Sequence, residues 1–387
     1  MQGDITLPAI YGQDPETGRR VMPLREQLNL HGHQPLSPTL EDRLCHLAVT
    51  SKSYQCAAEV ANRFGISTDD SQIQRLAQRM GARAKAQEEQ RVSAAFDLRE
   101  SREISREAER ELKGERFSMV LMLDGTMLRS RGEAWGLKPS SIPGERVAWH
   151  ELKAGLVIRI PEAAKAASKG STGDPEARER KRYAEASKYY VASDGGPEVI
   201  GRKLYAEALR RGLERARSVY VIADGAVWIW RLAAEHFPGA VEELDFYHAS
   251  EHLWALGRSL WEGDEEAVRA WVMPLLVGLK ECGGEGLLSV LEGLLKEGDE
   301  KRSEGQREVL RRETGYFRSH AERLDYPKAK RDGMPLGSGA MESGCSQIQG
   351  RFKRPGQFWS RGGEGNLLAL EMAWRNGDWS GLWTMPA

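Results

Sequence analysis

Three textures of apolar and polar positions follow one another along the chain. Residues 1–38 are rich in Gly and Pro and predict an irregular lead-in. Between Thr39 and Gly81 apolar residues recur at helical spacing: Ala58, Val60, Ala61 and Phe64 form one stripe, Gly65 breaks it, and Ile73, Leu76, Ala77 and Met80 form the next. Helix, short glycine-containing turn and second helix is the pattern of a helix-turn-helix, whose second helix would lie in a major groove. A plain three-helix packing module carries the same pattern. Residues 82–115 alternate in charge at helical spacing, as in LRESREISREAERELKGER, and predict a long solvated helix or a coiled-coil contact that closes the first region.

From Phe117 the periodicity changes. SMVLMLDG, VAWHELKAGLVIRI and SKYYVAS predict three strands, EVIGRKLYAEALRRGL a helix, VYVIADG a strand, WIWRLAAEHF a helix and AVEELDFYH a fifth strand. Three strands before a helix, then strand–helix–strand, indicates an α/β fold with a sheet of mixed direction. Between the second and third strands, residues 165–188 are polar and basic and predict a hairpin tip able to touch phosphates or merely to keep the loop soluble. After His248 the pattern is helical to about Leu324, and a last element runs from Pro335 to Trp379.

Composition narrows the class. The chain has 387 residues, enough for two or three domains, with 40% hydrophobic and 29% charged residues, as in a folded protein with a core. No stretch reaches the roughly eighteen uninterrupted apolar residues of a membrane span, and MQGDITLPAIYG lacks the basic and apolar segments of a secretion signal. Cys45, Cys56, Cys282 and Cys345 are far apart, which argues against a disulfide framework or a zinc ribbon and suits the cytoplasm. The net charge of −1 conceals a local cluster: Arg351, Lys353, Arg354 and Arg361 lie between Ser346 and Arg361 with no acidic residue. Phosphate binding depends on such clusters rather than on the sum.

The candidate chemistry lies in carboxylates. Asp124 and Asp224 each follow an apolar strand and precede a glycine, so both are expected at the end of a strand, before a sharp turn. Side by side at one sheet edge they would repel unless a cation stood between them, and Mg²⁺ prefers such oxygen ligands. Glu342 follows Gly337-Ser338-Gly339 in the first turn of a predicted helix, where the positive end of the helix dipole suits a carboxylate. Taken singly, each of these acids also fits an ordinary turn or helix start.

In sequence order, the blocks LMLDGT (121–126), VAWHELKAG (147–155), YVIADGAVWIW (220–230), DFYHASEHL (245–253), LGSGAMESGCSQIQGRFKR (336–354) and FWSRGG (358–363) resemble the Asp-Asp-Glu transposases of bacterial insertion sequences, in particular the Kra-type group related to the Mutator-like superfamily. The resemblance covers the chain from about Pro23. It implies an RNase H-like mixed sheet interrupted by an all-helical insertion, which the helix-turn-helix-like pattern read above would precede. On that reading residues 39–81 form the DNA-binding region, 82–115 a charged linker, 116–250 the first part of the catalytic core, 251–330 the insertion and 331–387 the final helix and basic segment. The resemblance makes Asp124, Asp224 and Glu342 the metal-binding triad, with two Mg²⁺ or Mn²⁺ ions as cofactor. Asp245 and His248 match a D-x-x-H element, with either an auxiliary active-site role or a supporting one at the junction with the insertion. The cysteine-rich N-terminal segment common in such proteins has no counterpart here, so the start is expected to be truncated or diverged.

The resemblance therefore implies metal-dependent DNA cleavage and strand transfer at insertion-sequence ends in the bacterial cytoplasm, at the nucleoid, with double-stranded DNA as partner. Arg351, Lys353, Arg354 and Arg361 would hold phosphates or simply solvate a helix end, while Phe352, Phe358 and Trp359 would pack against the sheet or stack on a base. Pairing two ends implies a homo-oligomer on DNA. The non-enzymatic alternative is a domesticated or decayed element that binds DNA without catalysis. A haloacid dehalogenase-type phosphatase also uses D-x-D-G-T, but Met122 stands where its nucleophilic aspartate would be. A glycosidase, with two carboxylates, would leave the helix-turn-helix pattern and basic tail without purpose.

Overall fold

The computed structural model describes residues 12–18, 20–23, 36–137, 144–162, 186–297 and 302–383. The chain divides into two compact units, one built from residues 91–126 and 152–346, the other from 1–90, 127–151 and 347–387. No helix among the described residues is long and apolar enough to cross a membrane.

The first unit is built on a five-stranded mixed sheet. In chain order its strands are β3 (Phe117–Arg131), β4 (Val147–Pro161), β5 (Ser187–Ser193), β6 (Val219–Ala223) and β7 (Val241–Leu244), and across the sheet they run β5-β4-β3-β6-β7. The two preceding strands, β1 (Gly12–Gln13) and β2 (Arg20–Val21), form a separate antiparallel pair. β3, β6 and β7 pair in parallel, while β4 and β5 pair antiparallel. Phe117 to Leu123 are all buried, as are Tyr220 to Ala223, so the central strands read as continuous apolar runs rather than alternating ones. Each such fully buried Leu, Met or Phe contributes about 1.5–3 kcal/mol by leaving water.

Helix α5 (Pro197–Arg210) begins with proline in its first turn and packs on β5, on α6 (Val227–His236) and on α4 (Glu100–Leu112). After β7 come α7 (Phe246–Leu260), α8 (Glu265–Cys282), α9 (Gly284–Lys296) and α10 (Glu304–Ser319), which pack on one another, then α11 (Tyr326–Asp332). A capping box formed by Ser303 and Gln306 starts α10. α12 (Gly339–Phe352) begins in this unit and continues into the other.

In the second unit, Ser37 accepts the Leu40 N–H and Pro38 fills the first turn of α1 (Pro38–Thr50), while Ser53 caps α2 (Tyr54–Arg63). After a turn with Gly65 at φ 77°, α3 (Asp70–Ala95) begins, burying Ile73, Leu76, Ala77 and Met80 as the periodicity predicts. Its length departs from expectation: Gly81 lies inside α3 rather than at its end. A Cβ there would meet the Asn366 carbonyl oxygen at 2.2 Å, so glycine allows close packing of α13 (Arg361–Arg375), which also packs on α1. The N-terminal helices and the C-terminal segment belong to the same compact unit.

The charged stretch 82–115 is likewise not one solvated helix. It breaks at residues 96–99, where the Asp97 carboxylate accepts the N–H groups of Arg99 and Glu100 (both 2.9 Å), and α4 then buries Ala108 and Leu112. Most of the lead-in (1–11, 19 and 24–35) and most of the basic stretch 165–188 (163–185) lie outside the described residues.

Candidate active site

Parallel pairing brings three aspartates level. Met122 of β3 lies opposite Ile222 of β6, and Ala223 of β6 lies opposite Leu244 of β7. Continued two residues and one residue respectively, this register aligns positions 124, 224 and 245, midway along β3 and just past the C-terminal ends of β6 and β7. The expected turn follows only the second aspartate. Gly225 has a φ of 101°, and a Cβ there would lie 3.0 Å from both the His320 ring and the Tyr316 hydroxyl. After Asp124 the strand runs on to Arg131, and Gly125 has no positive φ.

Asp124 and Asp224 are half-buried and lightly engaged. Oδ1 of Asp124 accepts the Gly125 N–H at 2.7 Å, and Oδ1 of Asp224 accepts the Ala226 N–H at 3.0 Å. Burial holds the Asp124 carboxyl above its ordinary range, and the neighbouring Asp224 adds to the shift. The Gly125 N–H, the Cys345 thiol and His248 act against it. Glu342 lies in the first turn of α12, where the Met341 and Glu342 N–H groups close onto the Ser338 carbonyl. Its carboxyl is also raised, first by partial burial, then by Asp245, Asp124 and Glu251. Burial beside Asp124 pushes the Cys345 thiol well above its usual range. Asp124, Asp224 and Glu342 thus contribute to one negative electrostatic environment.

Asp245 is engaged very differently. It is 2% exposed, and its Oδ1 caps α7 by accepting the Tyr247 and His248 N–H groups at 2.6 and 3.1 Å. Its Oδ2 accepts the Ser338 N–H at 2.6 Å and the Ser338 hydroxyl. The segment leading into α12 is thereby fastened to the start of α7. Gly337 is required in it, because a Cβ there would meet the Tyr247 ring at 2.4 Å. His248 is half-exposed, with Nδ1 3.6 Å from Glu251 and its ring edge-on to His252.

Sequence patterning alone missed the backing of Asp224. The Tyr316 hydroxyl donates to the Asp224 carbonyl at 3.0 Å, and the His252 ring stacks on Tyr316 with centroids 3.8 Å apart. His252 Nδ1 lies 2.6 Å from the buried Glu313 carboxylate, which Arg312 also contacts. Glu313 and Tyr316 are spaced i and i+3 on one face of α10, and His320 follows just past its end; this run of polar residues is the available sequence signal for such a support.

The basic cluster separates into unlike environments. Lys353 and Arg361 are exposed and Arg354 is half-buried. Arg351 is buried, which corrects the expectation that it presents its charge to a phosphate. Its guanidinium lies 5.0 Å over the Tyr54 ring and 5.3 Å over Trp359, and Nε donates to the Ala48 carbonyl at 3.3 Å. Phe352 and Trp359 are buried, and the Trp359 indole N–H donates to the Phe352 carbonyl at 2.9 Å.

Three aspartates level on neighbouring strands, with Glu342 near enough to Asp124 and Asp245 for its carboxyl to be raised by them, are oxygen donors of the kind divalent cations use. Among the described residues no three His, Cys, Asp or Glu side chains form a ready-made ion cage. No family model matches the chain, and no curated protein matches it.

Proposed function

We propose that this protein is a transposase of a bacterial insertion sequence, which cuts and rejoins DNA with Asp124, Asp224 and Glu342 holding two Mg²⁺ or Mn²⁺ ions. The observation that carries the reading is the level alignment of Asp124 and Asp224 on adjacent parallel strands, with Glu342 sharing their electrostatic environment. The strand order β5-β4-β3-β6-β7, with β3, β6 and β7 parallel, supports an RNase H-like core, and the helices between β7 and α12 support the helical insertion.

Bound there, the paired cations would supply an activated oxygen nucleophile and charge stabilisation for the leaving oxygen of a phosphodiester. The chain's own residues do the rest. Asp124, Asp224 and Glu342 would provide oxygen ligands, Asp245 fastens the segment leading into α12, which carries Glu342, and Tyr316 fixes the backbone of Asp224. Lys353, Arg354 and Arg361 supply cations for DNA phosphates. The reading carries with it double-stranded transposon ends and target as partners, a homo-oligomer on DNA, and action in the cytoplasm at the nucleoid.

The test is cleavage and strand transfer on the DNA ends flanking the gene, with and without Mg²⁺ or Mn²⁺. Asp224→Ala is expected to lose metal-dependent cleavage while keeping its fold. Cleavage by that variant at the wild-type rate refutes the assignment. A wild-type protein that binds these ends yet never cuts them would instead be a decayed copy.

A further inference from the structure

The far end of the β3–β4 pair carries a surface that folding leaves unexplained. Residues 127–131 and 147–151 form a two-stranded ribbon within the second unit. One side of it is core: Leu128, Ser130 and His150 are buried, and the His150 ring lies 2.8 Å from the buried Glu364 carboxylate. The other side exposes Met127 and Trp149, the latter 54% exposed. The Arg129 guanidinium lies 5.9 Å over the Trp149 ring and 5.2 Å over Phe358, whose ring is 4.7 Å from Trp135, and Arg131 lies 5.6 Å over Trp135. Rings and guanidinium groups thus form one row, Trp149–Arg129–Phe358–Trp135–Arg131. Arg129 is further fixed by donating to the Arg354 carbonyl at 2.7 Å.

Charge decides what such a row recognises. The described residues of the ribbon and its tip are balanced, with Arg129, Arg131 and Arg146 against Glu133, Glu145 and Glu151. The excess comes from Lys353, Arg354 and Arg361 in the adjoining segment of the same unit. Among the described residues, Arg129, Arg131, Lys353, Arg354 and Arg361 enter no salt bridge with a carboxylate. Fixed cations interleaved with exposed ring faces match a polyanion that also carries flat apolar groups. In a duplex the base faces are already stacked on one another, so the rings can be used only where a base is unpaired.

We propose that this ribbon is a docking surface for a DNA strand with an unpaired base: Trp149 stacks on the base, and Arg129 with Lys353 and Arg354 holds the flanking phosphates. The proposal deepens the DNA-processing reading above and rests on it for the identity of the polyanion.

Binding is measured by fluorescence anisotropy in metal-free buffer, using a duplex with a single-stranded tail and a fully paired duplex. Wild-type cleavage of DNA with Mg²⁺ is recorded separately on the same preparation. Trp149→Ala is expected to weaken binding of the tailed duplex about tenfold and to leave the paired duplex within about twofold, with Trp149→Phe restoring most of the loss. Arg129→Ala should weaken both and lower the salt dependence of binding by about one counter-ion. Thermal melting of each variant checks that it is folded, and truncating so exposed a tryptophan should leave the melt near that of the wild type.

Trp149→Ala binding the tailed duplex as tightly as wild type overturns the proposal, and leaves the enzymatic reading intact if wild type cleaves. Wild type that binds neither duplex also overturns it. Self-association that Trp149→Ala abolishes without changing DNA affinity would make the ribbon a protein interface and likewise overturns it. Loss of tailed-duplex binding in the variant, from a wild type that never cleaves, supports the surface while counting against the enzyme.

Discussion

Replacing Asp245 by Asn tests whether this residue is a clamp or a metal ligand. The carboxylate accepts four hydrogen bonds, two from backbone N–H groups at the start of α7 and two from Ser338. Asparagine caps a helix about as well as aspartate, so its carbonyl can keep the α7 bonds. Its amide then faces the Ser338 N–H donor to donor, in a position where Ser338 is buried. The Ser338 hydroxyl can rotate to accept from the amide; the N–H has no such recourse. A buried N–H left unsatisfied costs about 1–3 kcal/mol, and the lost bond to a charged acceptor about as much again. Allowing for overlap, about 2–4 kcal/mol is expected. At about 2–4 °C per kcal/mol for a unit of this size, that lowers the melting temperature by roughly 5–15 °C. The assay is thermal and urea unfolding in a chelator, where no metal contributes. A metal ligand behaves oppositely, because removing a repelled charge leaves the chelated protein as stable as before or more so. Asp245→Asn within about 0.5 kcal/mol of wild type in the chelator would falsify the clamp.

Three other outcomes follow from the same geometry. Burial, then Asp224, raises the folded-state pKa of Asp124, so the folded protein binds more protons than the unfolded chain between the ordinary aspartate value and the raised one. Stability therefore falls as pH rises through that window and stays lower above it; Asp124→Asn should melt higher than wild type at neutral pH in a chelator, and a lower melt contradicts this. Gly225→Ala, at φ 101° and with its Cβ 3.0 Å from the Tyr316 hydroxyl and the His320 ring, should destabilise by about 2–3 kcal/mol and impair cleavage; urea unfolding at the wild-type midpoint would speak against it. Arg351→Met, which removes a buried guanidinium whose two terminal nitrogens have no hydrogen-bond partner among the described residues, should leave stability unchanged or raised and DNA affinity unaltered; a loss of affinity at full stability would restore Arg351 to the phosphate-binding set.

Much of the sheet was legible because buried central strands are long apolar runs: LMLD and VIAD announce β3 and β6, and the three-strand, helix, strand, helix, strand order emerges from periodicity. What the pattern hid has physical reasons. Asp-Gly after an apolar run suggests a turn, yet TMLRSR beyond it alternates buried and exposed positions, the period-two mark of a strand continuing past Asp124. Gly81 looks like a helix stop, but its role is to admit the Asn366 backbone, a contact between residues 285 positions apart that no local rule contains. Arg351 sits in a basic run with Lys353 and Arg354, and charge along a sequence carries no information about which member a neighbouring pair of rings will bury.

The three level aspartates are identical in chemistry and aligned by one register, so their different roles must come from their partners. A carboxylate has about four acceptor sites. Asp245 meets four donors, and its acceptor capacity is spent on holding α7 and the segment before α12 together. Asp124 meets one backbone N–H and the Cys345 thiol, and Asp224 one backbone N–H, which leaves each with acceptor capacity at the edge of the sheet among the described residues. A carboxylate with only a structural part to play would be better served by donors enough to offset its partial burial. Asp124 is instead held above its ordinary pKa, a state that lowers stability at neutral pH and that a bound divalent cation would reverse. The under-supplied pair, rather than the fully satisfied Asp245, is where cation binding should raise the melting temperature. That rise should vanish in Asp124→Asn and Asp224→Asn, and persist in Asp245→Asn measured against its own lower baseline.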